Sequence, residues 1–431
     1  MRIILSGFQW MIFMIAGAIA APIAIADLYN LTPMETTGLI QSTIITLGIA
    51  GFLQGLIGHK LPIHEGPAGL WWSIFTIYAS LVGVLYTSHI AALQALCGGM
   101  IISGVLFILL SLFKLMDKIA SLFTPAVTFI YLLLLILQLS GSFMKGMMGI
   151  TSARTIVDGK VFLLSVIIIC ITFWLGNSRF LLLQRFSVLI SICIGWSLFI
   201  VFGNIPAISQ ADTLIQLPKV FPFGRPSFDA ATITTACLLT LLLITNAIAS
   251  IRLMESVMKQ QDSMDHRRYF RAGFTSGMNQ LICGCLGAIG SVPISGAAGF
   301  VEQTGMRERK SYVIGCSLVI ATSLLPPIMN IIAAIPAPIG YAVTFVIFVK
   351  MVGLSLKELK SVIHEERTLI VCGVSLLVGV GLMFIPSSAT IHLSPIAAAI
   401  LNNGLICGSL SAIILEQGLL VKERHGTKHI R

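Results

Sequence analysis

Runs of about twenty apolar residues recur along this chain, and no other feature constrains its fold as tightly. A helix of that length spans a hydrocarbon layer about 30 Å thick. The segments between the runs cannot supply a water-facing surface: only 10% of the 431 residues are Asp, Glu, Lys or Arg, against about 25% in a soluble domain. Lipid is therefore the solvent for most of the surface. Backbone in lipid must satisfy its own hydrogen bonds, which leaves helices and closed barrels, and the run length selects helices. The chain reads as an all-α polytopic membrane protein.

Fourteen apolar segments are placed near 4–25, 37–57, 69–86, 89–112, 119–140, 160–177, 180–203, 230–250, 272–289, 294–304, 311–335, 337–353, 367–386 and 395–420. The third and the tenth differ from the rest. Leu61-Pro62-Ile63-His64-Glu65-Gly66-Pro67-Ala68-Gly69 leads into the third, and Ser291-Val292-Pro293 leads into the tenth, which is too short for a full span. Backbone outside a helix at membrane depth is tolerated only where it lines a cavity or is buried in protein. These two segments are corresponding members of two halves of seven. Paired, interrupted segments in matching positions point to an inverted-repeat transporter with its site near the midplane. No loop is long enough for a soluble domain; the longest, about 204–229, holds four prolines and reads as cover for one face.

Charge placement supplies the topology. An even number of spans puts both termini on one side, and the basic tail with Lys422, Arg424, Lys428 and Arg431 makes that side the cytoplasm. All but five of the 27 Lys and Arg then lie on cytoplasmic ends or loops, the five being Lys145, Arg154, Lys160, Lys219 and Arg225. The net charge of +10 is thus the positive-inside signature of a multi-pass protein in the cell membrane, not a nucleic-acid surface. The apolar run after Arg2 reads as a first membrane helix rather than a removed signal.

All nine cysteines lie inside apolar segments, and Cys283-Gly-Cys285 is not a metal spacing. They read as small packing residues. Gly-x-Ser-x-Gly, His-Glu-x-x-His and a phosphate loop ending in Gly-Lys-Ser/Thr are all missing from the sequence, so it points neither to an enzyme nor to an ATP-driven pump. No cofactor is implied, and uphill transport would draw on an ion gradient or on a partner chain.

An ionisable residue at membrane depth is a functional candidate, because a charge there costs at least about 2.5 kcal/mol. The set is His64, Glu65, Glu302 and, near helix ends, Arg252, Glu255, Lys350 and Glu416. Glu65 stands inside the Gly/Pro break and is the candidate for proton coupling; the competing reading puts it at the cytoplasmic surface beside Lys60. Glu302 reads as half of a surface ion pair with Arg307, and Glu416 as a snorkelling helix-end charge. The carboxamides Gln9, Gln41, Gln94, Gln138, Asn246, Asn279, Gln280, Asn402 and Asn403 can read the edge of a flat heterocycle or bond another helix. Asn246, deep in the eighth segment, suits either use. Trp10, Trp71 and Trp72 suit ring stacking or a membrane interface.

Seven fragments, in order along the chain, resemble the nucleobase–ascorbate transporters, which include bacterial uracil and xanthine permeases. They are Gly7-Phe8-Gln9-Trp10, the stretch Leu61 to Gly69, Phe123-Thr124-Pro125-Ala126-Val127-Thr128, Phe221-Pro222-Phe223-Gly224 with Pro226-x-Phe228-Asp229, Gly287 to Gly305, Ile335-Pro336-Ala337-Pro338, and Asn403-Gly404-Leu405-Ile406. The resemblance implies fourteen spans as a seven-plus-seven inverted repeat, with short strands leading helices 3 and 10. It implies a core domain from residues 1–113 and 230–335, a gate domain from 114–203 and 336–420, and a basic cytoplasmic tail, 421–431. It implies import of a purine or pyrimidine nucleobase by symport with protons, or sodium, and alternating access, with a second copy of the chain as a candidate partner. A carrier of a small anion or organic acid, or a membrane binding protein, is the alternative.

The family's substrate contacts fall on altered residues. Its helix 8 carboxylate is Asn246 here, and the second Glu or Gln, in helix 10, is Gly296, after Ser295. The helix 1 His is Trp10, next to Gln9, and the helix 3 Ser-Phe is Ala68-Gly69. These seven residues are the expected substrate contacts.

Overall fold

A computed structural model describes residues 2–151, 154–180, 183–184, 186–202, 213–258 and 266–426. The first apolar segment is α1 (Arg2–Ala18) and α2 (Ala20–Leu28). They part at Ile19 because Pro22 has no N–H to bond the Ala18 carbonyl. Helix α3 (Pro33–Leu56) starts on a capping box between Thr32 and Glu35, with Pro33 in its first turn, a strong start signal. Then come β1 (Glu65–Pro67), α4 (Gly69–Ser80), α5 (His89–Leu112), α6 (Met116–Ser121), α7 (Pro125–Met147), α8 (Gly159–Gly176) and α9 (Ser187–Val201).

The second half runs α10 (Ala230–Met258), α11 (His266–Leu286), β2 (Ser291–Pro293), α12 (Gly296–Thr304), α13 (Arg309–Ser323), α14 (Pro326–Ala333), α15 (Ala337–Lys360), α16 (Glu366–Met383), α17 (Pro395–Leu401) and α18 (Gly404–Gly426). Each apolar segment contains helix, but length and composition account for fewer crossings than segments. Among the described residues eight helices are long and apolar enough to cross a membrane, or ten if the bent pairs α13–α14 and α17–α18, at 84° and 81°, each count as one.

The two expected strands are present, and they pair with each other. The ribbon is antiparallel, with Glu65 opposite Pro293, Gly66 opposite Val292 and Pro67 opposite Ser291. Beyond the strands Ile294 N–H donates to the His64 carbonyl and Ala68 N–H to that of Gly290, both at 2.9 Å. The ladder bonds fall on even-numbered partners of β1. Pro67 and Pro293 therefore sit where no ladder donor is needed, which is where a strand tolerates proline. Strand backbone at this depth has no water to bond, so each strand needs the other.

Packing joins elements distant in sequence: α3 and α1 lie on α13, and α5 lies on α11 and α10. Separately, α7 packs on α15, α16 and α18, and α8 on α9 and α15. Close helix approach depends on missing side chains. A Cβ on Gly277 would stand 2.7 Å from the Gly104 carbonyl, and one on Gly51 would stand 2.5 Å from the Tyr312 hydroxyl.

The described part of the long loop does cover one end of the helices. Gln41 Nε2 donates to the Gln216 carbonyl at 2.7 Å and Gln94 Nε2 to that of Phe223 at 2.8 Å. Residues 203–212 of that loop, and Lys428 and Arg431 of the basic tail, lie outside the described residues.

Candidate functional site

Side chains alternate across a strand. One face of the ribbon therefore carries His64, Gly66, Val292 and Ile294, and the other carries Glu65, Pro67, Ser291 and Pro293. The first face is turned towards α1. The rings of His64 and Phe13 meet edge-on with centroids 5.1 Å apart. Gly17, one turn beyond Phe13, is exposed although Ala16 and Ala18 beside it are buried, and Gly296 at the start of α12 is exposed although Ala297 is buried. Such points between buried neighbours mark an opening beside the ribbon. Half-buried Ser295 and Ile294 adjoin it.

Asn246 is half-buried on α10 and reaches the end of β2, with Nδ2 3.5 Å from the Pro293 carbonyl oxygen; Ser250 Oγ donates to the same oxygen at 2.9 Å. Ala68 and Ser295, the residues that begin α4 and α12, make no side-chain cap bond. At α12 the Ala297 and Ala298 N–H groups bond the Ile294 and Ser295 carbonyls at 3.1 and 3.0 Å, which leaves the Gly296 N–H, like that of Gly69 at α4, without a side-chain cap; helix N-termini favour electron-rich groups. Ala68 is buried. Gly69 is half-buried, and a Cβ there would meet Leu135 of α7 at 3.4 Å and Phe348 of α15 at 3.6 Å.

The two expected contacts on α1 separate. Gln9, Phe13 and Gly17 follow each other at intervals of four, which is one helix face, so Gln9 is half-buried on the side of the opening. Trp10 has no exposed surface and lies behind the Phe13 ring, the two meeting edge-on with centroids 5.9 Å apart. Its ring is met edge-on by Phe300 and Tyr312, with centroids at 4.7 and 5.1 Å. In this conformation Trp10 fills the seam between α1 and α13 and offers no face to a ligand.

Glu65 is fully buried, whereas Lys60 is exposed, so the surface position beside Lys60 is not where the carboxyl lies. Neither of its carboxylate oxygens has a hydrogen-bond partner among the described residues. It shares its face with Ser291, whose hydroxyl is 3.8 Å from the Cys283 thiol of α11, and so points away from the opening. Glu302 is exposed.

Trp71 is a strut, not a stacking platform. Its Nε1 donates to Gln280 Oε1 at 3.0 Å, and Gln280 Nε2 donates to the Ser291 carbonyl at 2.6 Å, so α4 and α11 together hold β2. A Cβ on Gly290 would stand 2.2 Å from the Trp71 ring and 2.7 Å from Gln280 Oε1. Gly290→Ala is expected to cost about 1–3 kcal/mol by overpacking and to lower the thermal midpoint of the detergent-solubilised protein. An unchanged midpoint would mean that Trp71 swings aside freely.

Two features of the opening were not assigned from the sequence. His64 was an ionisable candidate without a role, and strand alternation from Gly66 was the available signal. The stacked rings of Phe13 and Phe300, 4.1 Å apart at 19°, join residues with no sequence link.

Known proteins bear the same stamp. A family model described as the Permease family matches residues 1–388. The putative purine permease YwdJ of Bacillus subtilis (strain 168) is 44% identical over 98% of this chain and 97% of its own length. The xanthine permease and the uric acid permease PucJ of that organism are each 25% identical, over 95% and 94% of this chain and 92% and 90% of their own lengths. Two solved structures share the fold. The transmembrane domain of the cyanobacterium bicarbonate transporter BicA has a TM-score of 0.64 at 15% identity, covering 96% of this chain and 97% of that one. SLC26A9 has a TM-score of 0.67 at 11% identity, covering 96% of this chain and 65% of that one. A transporter fold, breaks paired into a ribbon beside an opening, and a permease match over most of the length lead to one conclusion: the chain belongs to the nucleobase–ascorbate transporter family of permeases.

Proposed function

We propose that this permease imports a purine base across the cell membrane as a secondary active transporter. The observation that carries this reading is the full-length likeness to a relative named for purines, with relatives named for xanthine and uric acid behind it. The geometry suits such a cargo. A flat, neutral base offers carbonyl oxygens to the uncapped N–H groups at Gly69 and Gly296, and a donor–acceptor edge to the Asn246 carboxamide. The base would lie at the ribbon's open face, with Ala68, Ser295 and Gln9 around it.

The path across the membrane follows from two bodies. Residues 1–113 and 230–335 make the core domain, and 114–203 and 336–420 make the gate domain; fourteen crossings with both termini in the cytoplasm would connect them. The mutual packing of α3, α5, α11 and α13 on one hand and of α7, α8, α15, α16 and α18 on the other supports this division, and the contacts of α2 with α15, α4 with α7 and α10 with α17 are where the two bodies meet. Rocking of one body against the other would open the site to each side in turn, and Glu65 would take the coupling proton.

Uptake into proteoliposomes tests the reading, with uracil, xanthine, uric acid, guanine, hypoxanthine and adenine, with and without an imposed proton gradient. Saturable, gradient-dependent uptake of at least one purine is expected. No uptake of any base by protein shown to be folded would remove the proposal and turn attention to small anions.

A further inference from the structure

His64 is a buried titratable side chain that makes no side-chain hydrogen bond or ion pair among the described residues. It is 5% exposed. Nδ1 is buried without a hydrogen-bond partner, and among the described residues Nε2 has none either. Phe13 closes one side of the ring. Nε2 is directed at the break in the first segment, 3.9 Å from where a Cβ of Gly17 would stand, and Gly17 is exposed. On the same ribbon face a Cβ at Gly66 would be 2.9 Å from the Ile294 side chain and 3.5 Å from His64 Nε2, so glycine leaves the imidazole edge uncovered. Buried polar groups in folded proteins are almost always bonded. An imidazole that is packed on its flanks, unbonded at both nitrogens and aimed at an opening is arranged for a partner from outside the chain.

We propose that His64 determines substrate specificity, by hydrogen bonding through Nε2 to a ring nitrogen of the bound base on the edge turned to α1. This rests on the purine reading and adds to it the group that tells one base from another. A neutral imidazole carries one donor and one acceptor, so it matches either a ring N–H or a bare ring nitrogen. A site built to bond such an atom discriminates strongly against an analogue that lacks it, because its own buried group is then left unpaired. Asn246 reads one edge of the base from α10 and His64 reads another from β1, which fixes the ring in its plane.

The test compares wild type, His64→Leu and His64→Gln in proteoliposome uptake of the transported purine, with its 7-deaza and 9-deaza analogues as competitors. In wild type one of the two analogues is expected to bind about tenfold or more weaker than the parent, as loss of a buried hydrogen bond implies. In His64→Leu the KM for the parent rises by a similar factor, the maximal rate changes little, and the penalty for that analogue disappears. His64→Gln, which keeps a donor and an acceptor, retains part of the affinity with an altered ranking of the analogues. A purely structural histidine would not remove a penalty specific to one ring atom. Wild-type KM and wild-type ranking in His64→Leu overturn the proposal. Should that variant fail to reach the membrane, an unchanged ranking in His64→Gln overturns it equally. A wild-type protein that carries no base removes the purine reading itself, an outcome visible before any variant is compared.

Discussion

Asn246→Ala abolishes saturable purine uptake at low substrate concentration while the protein still reaches the membrane. The two halves of this expectation have separate causes. The fold survives because the Asn246 contact with the Pro293 carbonyl is long, at 3.5 Å, and Ser250 Oγ holds the same oxygen at 2.9 Å. Truncating Asn246 leaves β2 attached to α10. Binding fails because the carboxamide is the half-buried polar group on α10 beside the start of α12, and a methyl group cannot bond the base. Leaving a ligand's polar edge unpaired in a dry site costs about 1–3 kcal/mol, or roughly five- to 150-fold in affinity. Asn246→Gln keeps the amide but displaces it by one carbon, and is expected to fall between the two. Uptake kinetics alongside surface quantification measure both halves, and normal uptake by Asn246→Ala would take the residue out of the site. Ser250→Ala is the converse control: it loosens the edge of β2 and lowers thermal stability with less effect on KM.

The helical architecture was legible because lipid leaves backbone few choices, so segment length alone locates most helices. The ribbon was legible for a related reason: glycine and proline gathered at His64–Gly69 and Gly290–Pro293 make sense at depth only outside a helix. Faces were less so. A soluble helix shows its buried side through polar residues on the other; in α1 only Arg2, Ser6 and Gln9 mark a side, and nothing in the apolar run Trp10-Met11-Ile12-Phe13 separates the seam with α13 from the side of the opening. Trp10 was therefore assigned to the site and lies in the seam. The carboxamides show the same limit. Gln41, Gln94 and Gln280 bond backbone carbonyls of other elements at 2.6–2.8 Å, whereas the like contact of Asn246 is long, at 3.5 Å, a difference that only the three-dimensional structure displays. Glu416, expected at an interface, is 2% exposed and lies 3.5 Å from Arg367. The pairing of α16 with α18 creates that contact, and no local pattern announces it.

Glu65→Gln is expected to abolish gradient-driven accumulation while base exchange across the membrane continues. The carboxyl is fully buried, on the ribbon face away from the opening, and neither oxygen is bonded among the described residues. An unpaired buried charge costs several kcal/mol, so in this conformation nothing nearby supports the ionised form. A change of charge at Glu65 must then accompany a rearrangement that admits water or a partner to β1. That is the requirement for coupling: protonation and conformation change together, through the strand that leads into α4. Gln occupies the same volume and never ionises, so the variant behaves as though always protonated and equilibrates the base without drawing on the gradient. One-to-one proton symport under a difference of about two pH units sustains up to about a hundredfold accumulation, since each pH unit is a factor of ten; the variant should approach equal concentrations inside and out. Counterflow of labelled base without a gradient, run beside accumulation with one, separates the two activities. Wild-type accumulation by Glu65→Gln would move the coupling step to another group, and loss of counterflow together with accumulation would make Glu65 a support for the ribbon rather than its proton carrier.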